Sequence, residues 1–262
     1  KPPNAMPIVT HTTDFGLRDY YVAAMKGALL RRVRDLSIVD ISHNIKTFDI
    51  VQGAFMLKNA YAHFPPGTIH LVSVNNAPVT DRTFLAFRYD EHYFVGPDNG
   101  LFALAFGEIT RDIYEIDYDP AAPFPDSEVF ATVIQHFAAE KPFNEIGIPI
   151  ARIEERISLQ PVISPTQIRG SIIHIDNYEN AILNINRELF ERIGQQRNFA
   201  LYFKRKHPIT RLSQHYSEVP VGETLCRFNS ADYLEIAVNM GTAATLLGLH
   251  VNDGVQIDFE PN

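Results

Sequence analysis

The chain has 262 residues, 45% of them hydrophobic and 21% charged, which excludes a disordered or collagen-like polymer. Its 23 lysines and arginines stand against 31 acidic residues, a formal charge of −8, and that balance excludes the basic footprint of a nucleic-acid binder. A single cysteine, Cys226, excludes an internal disulfide framework and a cysteine-based zinc site, and it fits a reducing compartment.

No apolar run approaches the ~18 residues of a membrane span. Lys1-Pro2-Pro3-Asn4 leads into no apolar segment of the signal-peptide kind. The expectation is a soluble, acidic, cytoplasmic protein that engages neither nucleic acid nor membrane. The one compact basic cluster, Lys204 to His207, reads as a solvated loop.

The first half alternates strands with helices. Pro7 to His11 is a short apolar strand that ends in Thr12-Thr13-Asp14. Tyr20 to Leu30 carries helical periodicity, with Val22, Met25, Ala28 and Leu29 on one face. Leu36 to Ile41 reads as a strand and Phe48 to Ala62 as a helix stopped by Pro65-Pro66-Gly67; Thr68 to Val74 is a third strand rich in β-branched residues. This order predicts an α/β domain with a mostly parallel sheet and covering helices. A hairpin follows around Asp90-Glu91, then a strand at Ile113 to Ile116 and a helix at Ser127 to Ala139.

After about residue 155 the pattern changes to short strands with few helical pieces, the signature of a smaller, mostly antiparallel β domain. The expected division is 1–155, a linker at 156–165, and 166–262.

Ligands of an open α/β sheet bind at the carboxyl ends of its strands. Three polar segments fall there. Asp14 after the first strand could accept two ribose hydroxyls, or cap a helix. His43 after the second reads first as a structural hydrogen-bonder. Asn75 to Arg82 after the third is irregular, with an arginine able to hold an anion. The ten histidines form neither H-x-x-x-H nor H-E-x-x-H, so no metal is expected.

Several segments together resemble one family. They are Thr12 to Asp19 running into Tyr21 to Gly27, Asp40-Ile41-Ser42-His43 followed by Phe48-Asp49, Phe64 to Thr68, Val95 to Leu101, His174 to Ala181, and Phe228 to Asn239. In that order they look like the S-adenosylmethionine hydrolase (adenosyl-forming) family, which includes the fluorinase and chlorinase. The resemblance implies an α/β N-terminal domain, a β-barrel-like C-terminal domain, and a homotrimer with sites at subunit interfaces. It also implies substitution at C5′ of S-adenosylmethionine, with methionine released.

Residue by residue, it implies that Asp14 holds the ribose and that Asp19 lies near the methionine end. Phe48 and Phe124 would line the pocket. Asp176 would hold the substrate ammonium, Tyr178 would stack on adenine, and Asn180 would bond its edge. Ser230 would meet the methionine carboxylate, and Asn229 beside it would belong to the substrate-binding set. On residues alone, Tyr178 could equally be core and Asp176 a turn residue.

The resemblance breaks at the reacting centre. Water-using members carry an Asp, an Arg seven residues later, and a His before the next helix. This chain keeps Arg82 but has Asn75 and Pro125 in the other two places. Asn75 can orient water but cannot take its proton, and loss of a general base costs about 10²–10⁴ in rate. Three readings follow. A hydrolase could use Asp126, Glu128 or Asp81 as the carboxylate, or rely on Asn75, Thr80 and Arg82 for positioning. Asp126, directly before the expected helix, could instead be its N-cap. A halide could be the nucleophile, which a carboxylate at Asp126 would repel. Or the site could bind without turnover. Cleavage by water to adenosine and methionine is the favoured expectation.

Overall fold

The computed structural model describes residues 8–75, 83–204 and 207–260. The chain divides into two compact units, Lys1–Ile157 and Ser158–Asn262.

The first unit holds β1 (Ile8–Thr13), α1 (Tyr21–Arg32), β2 (Ser37–Ser42), α2 (Ile50–Ala60), β3 (Ile69–Ser73), β4 (Phe84–Tyr89), β5 (His92–Pro97), α3 (Leu101–Phe106), β6 (Ile113–Ile116), α4 (Pro125–Ala138) and β7 (Ile148–Pro149). Its sheet runs β2-β1-β3-β5-β4-β6-β7. The pairs from β2 to β5 are parallel, and those from β5 through β4 and β6 to β7 are antiparallel.

Alternation along the strands splits the core into two layers. Val9, Leu71, Phe84 and Val95 join Met25 and Leu29 of α1 and Phe130 and Val133 of α4. Val72, Leu85, Phe87 and Phe94 join Leu57 of α2 and Leu101 and Phe102 of α3. The sheet is thus covered on both faces, and the carboxyl ends of β1, β2 and β3 emerge at one edge. Gly96 lets β5 lie close to β3, since a Cβ there would collide with the Val72 carbonyl oxygen.

The hairpin turn between β4 and β5 has both central residues in the left-handed region, Asp90 at φ 45° and Glu91 at φ 62°, as a tight two-residue connection requires. Two helices differ from expectation. α3 is an apolar helix of six residues launched from Gly100 at φ 88°, too short to show a period. α4 begins at Pro125 rather than Ser127, because a proline fits the first helical position, where its missing N–H is not needed.

The second unit holds β8 (Val162–Ser164), β9 (Gln167–Ile175), β10 (Ala181–Asn186), α5 (Arg187–Gly194), β11 (Phe199–Phe203), β12 (Thr224–Phe228), β13 (Tyr233–Val238), α6 (Ala243–Leu247) and β14 (Gly254–Phe259). Its strands pair in the order β11-β14-β9-β10-β13-β12, with β8 against β9, all antiparallel. β8 lies within the stretch expected as linker, paired through Ile163 to Ile168. The core gathers Ile172, Leu183, Leu201, Leu234, Ile236 and Ile257, with Phe190 of α5 packed on Phe199, Phe228 and Phe259. Cys226 is sealed in this core, and burial pushes its thiol up to about 12. Among the described residues, no helix is long and apolar enough to cross a membrane.

Candidate functional site

Asp14 follows directly on β1. One of its carboxylate oxygens, Oδ2, accepts the backbone N–H of Phe48 at 2.8 Å and that of Asn75 at 3.0 Å. The alternative role as a helix cap falls away: α1, the helix that follows, has Tyr20 at its N-cap position with no side-chain cap bond, and α2 is capped by Asp49, whose carboxylate accepts from the Gln52 N–H. Asp14 instead ties the loops after β2 and β3 to the end of β1. Both donors have left-handed backbones, Phe48 at φ 66° and Asn75 at φ 62°. An aromatic residue rarely adopts that region, and such strain gathers at functional sites. Phe48 keeps 60% of its surface exposed, so its ring is free to pack on a ligand. Asp19 is exposed in the turn before α1.

Ser73, the last residue of β3, joins two of these groups. Its carbonyl accepts the Asp14 N–H at 3.4 Å, and its hydroxyl donates to Asp126 Oδ1 at 2.5 Å. Asp126 is completely buried. It is not the N-cap of α4: Phe124 occupies that position without a side-chain bond, Pro125 follows, and Asp126 sits one residue further. There its carboxylate turns under the sheet edge, favoured by the positive end of the helix. Phe124 packs on Phe15 at 5.7 Å and on Tyr21 at 6.1 Å between ring centroids. Phe15, Tyr21 and Ser73 were not singled out from the sequence; for Ser73 the available signal was its place at a strand's carboxyl end. Thr80 and Arg82 lie outside the described residues, as does Asp81.

Beside this edge stands a polar cluster on the α1 side of β1 and β2. His43 shares a hydrogen bond with Thr13 through Nδ1 at 2.7 Å, so its expected structural role is present. Asp40 receives Lys26 of α1 at 2.6 Å and lies 3.1 Å from His43 Nε2. His11 is buried next to them. Burial, and then the neighbouring His43, lower its pKa to about 4, so its imidazole is neutral. Sequence spacing did not reveal this grouping, because His11 and Asp40 meet through strand register.

In the second unit, Asp176 and Asn180 come together in the loop from β9 to β10. Asp176 Oδ1 accepts the N–H groups of Tyr178 and Asn180, at 2.9 and 2.8 Å, and Oδ2 accepts Asn180 Nδ2 at 3.0 Å. Asp176 is therefore a turn residue here, with part of its acceptor capacity left over. Tyr178 is not core: 76% of it is exposed. Asn229 braces the turn from β12 to β13, its side chain accepting from the Ala231 and Tyr233 N–H groups. Ser230 is exposed at that turn.

Two family models match the chain: the SAM hydroxide adenosyltransferase N-terminal domain over residues 9–147, and its C-terminal domain over residues 170–256. The chain belongs to the SAM hydroxide adenosyltransferase family. A relative from Methanocaldococcus jannaschii, named (R)-S-adenosyl-L-methionine hydrolase, is 30% identical, with 97% of each chain covered. A fluorinase from an Actinoplanes species is 25% identical over 93% of this chain and 94% of its own. The crystal structure of an uncharacterized conserved protein from Thermotoga maritima superposes with a TM-score of 0.85 at 27% identity, covering 96% of this chain and all of that one. The two-unit architecture is thus the family's.

Proposed function

We propose that the chain cleaves S-adenosylmethionine at C5′ of its ribose with water, releasing adenosine and methionine. The observation that supports this reading best is the Asp14–Ser73–Asp126 linkage at the sheet edge. It supplies two carboxylates with different tasks. Asp14 has Oδ2 occupied by backbone amides and offers Oδ1 to the ribose hydroxyls. Asp126 stands in for the missing histidine and takes the proton of the attacking water. The water oxygen bonds to C5′, the C5′–S electron pair leaves with methionine, and one proton is released. Asn75 orients the water, with Thr80 and Arg82 from the segment that follows it in sequence.

In the same reading, Asp176, Tyr178, Asn180, Asn229 and Ser230 hold the adenine and methionine ends. The site is completed in a homotrimer by a neighbouring subunit's second unit. The relatives named hydrolases support water rather than halide as nucleophile. A buried carboxylate at Asp126 would oppose an anion, since unlike water it carries full charge into a poorly solvated place.

A second reading, binding without turnover, is favoured by Asn75 standing where hydrolases of the family carry Asp. One experiment separates the two. The purified chain is incubated with S-adenosylmethionine at neutral pH, and adenosine and methionine are followed by chromatography. Product formation, reduced about 10²–10⁴-fold by Asp126→Asn, supports the hydrolase. Calorimetric binding with no product over a day selects the binding protein. A 5′-halo-nucleoside formed with added chloride or fluoride would reinstate the halide.

A further inference from the structure

We propose that His11, Asp40 and His43 form a binding site for a divalent transition-metal ion of the zinc class. The proposal stands independently of the hydrolase reading, since it uses none of the residues assigned to the substrate.

Three observations carry it. First, one ligand atom from each residue lies within 4.8 Å of the other two, and the fold explains why. His11 is the register partner of Asp40 across parallel β1 and β2, so both side chains leave the sheet on one face. His43 returns to that face three residues later.

Second, His11 is fully buried and neither of its ring nitrogens has a hydrogen-bond partner among the described residues. Buried polar groups are normally satisfied, so two open nitrogens on one interior ring need an explanation. His43 Nε2 is likewise buried, and its close neighbour is Asp40 Oδ1 at 3.1 Å, the carboxylate that would share the ion with it. A neutral imidazole nitrogen with its lone pair unspent is the commonest metal ligand.

Third, the surrounding groups suit a metal ligand shell. Thr13 holds His43 through Nδ1 at 2.7 Å; with its hydroxyl accepting, Nε2 keeps its lone pair and the ring its orientation. Asp40 is 37% exposed through its side chain, which leaves an entry path and room for water as a fourth ligand. Two imidazoles and one carboxylate favour zinc, cobalt, nickel or copper over magnesium or calcium, which prefer all-oxygen shells. Lys26 opposes the ion: its ammonium sits 2.6 Å from Asp40 Oδ2 and competes for the carboxylate.

The test is titration of the chelator-stripped full chain with zinc chloride by isothermal calorimetry. Magnesium chloride serves as the comparison, and the visible absorption of cobalt(II) is the spectroscopic readout. The expected result is one zinc per chain, no comparable magnesium binding, and a cobalt spectrum of low coordination number. His11→Leu and Asp40→Asn should each weaken zinc more than 10-fold and abolish the cobalt bands. Thr13→Val should weaken zinc about 10–100-fold, the range for removal of an outer-sphere partner. Lys26→Met should tighten it. Zinc binding that survives both His11→Leu and Asp40→Asn overturns the site, as does a wild-type chain that binds zinc no better than magnesium. If His11→Leu does not fold, Asp40→Asn decides alone, because that residue is exposed.

Discussion

The carboxylate of Asp14 accepts the backbone N–H of Phe48, 34 residues away, at 2.8 Å. That bond holds Phe48 at φ 66°, a conformation in which a Cβ crowds the carbonyl and costs about 1–2 kcal/mol. Glycine is free of this cost and alanine is not. Phe48→Gly should therefore be more stable than Phe48→Ala by about 1 kcal/mol, measured by thermal unfolding. Both variants should bind S-adenosylmethionine more weakly than the wild type, because both lose the exposed ring. Equal stabilities would show that the bond does not enforce the backbone.

Ser73 is the donor to Asp126 on β3. Ser73→Ala removes one hydrogen bond to a buried carboxylate, a change of about 1–3 kcal/mol. If Asp126 is the base, the variant should lower kcat about 10-fold or more while the Kd for S-adenosylmethionine stays within about twofold. A change confined to Kd would assign Ser73 to binding.

Acid sensitivity has a source away from the site. His70 on β3 bonds Thr10 through Nδ1 at 2.7 Å and meets His92 through Nε2 at 3.2 Å. Burial, and then His92, lower its pKa from 6.5 to about 3. Above pH 6.5 both folded and unfolded states carry a neutral ring. Between 6.5 and about 3 only the unfolded chain takes the proton, so stability is lost as the pH is lowered, by at most about 1.4 kcal/mol per unit. His70→Phe should flatten the acid limb of unfolding free energy against pH relative to the wild type. Parallel curves would exclude His70 as the cause.

In the second unit, Glu235 is only 2% exposed. It accepts the Tyr216 hydroxyl at 2.7 Å and has Arg227 Nη1 at 3.9 Å. Desolvation raises its pKa against the pull of those partners. Tyr216→Phe should cost about 1–3 kcal/mol by removing the nearer donor, and Glu235→Gln in that background should recover part of it. Denaturant unfolding measures both. A Tyr216→Phe chain as stable as the wild type would mean that the residual cation suffices.

The sequence exposed what local pattern controls. β1 and β3 are runs of apolar and β-branched residues, and α1 and α2 carry a helical stripe, so their order and the edge at Asp14, His43 and Asn75 were readable. Pairing across the chain was not. β7 is two residues long and exists only because β6 offers an edge. Asp126 looked like a cap because an aspartate before an apolar helix usually is one. Pro125 takes the first helical position and turns Asp126 inward, toward a serine 53 residues earlier. Asp176 could be read as ligand-binding or as a turn former; its bonds show that it makes the turn and leave acceptor capacity over for a ligand. His11 and Asp40 are 29 positions apart in the numbering yet directly adjacent in register, which no linear spacing rule detects.

The sealed Cys226 has a practical consequence. With its thiolate disfavoured and its sulfur out of reach of solvent, the native chain is a silent background for thiol-directed reagents. A cysteine placed at Tyr178, which is 76% exposed, becomes the single labelling point. Protection of that position by added ligand would report occupancy of the second unit. Transfer of energy between labels on separate copies would report whether the copies come together.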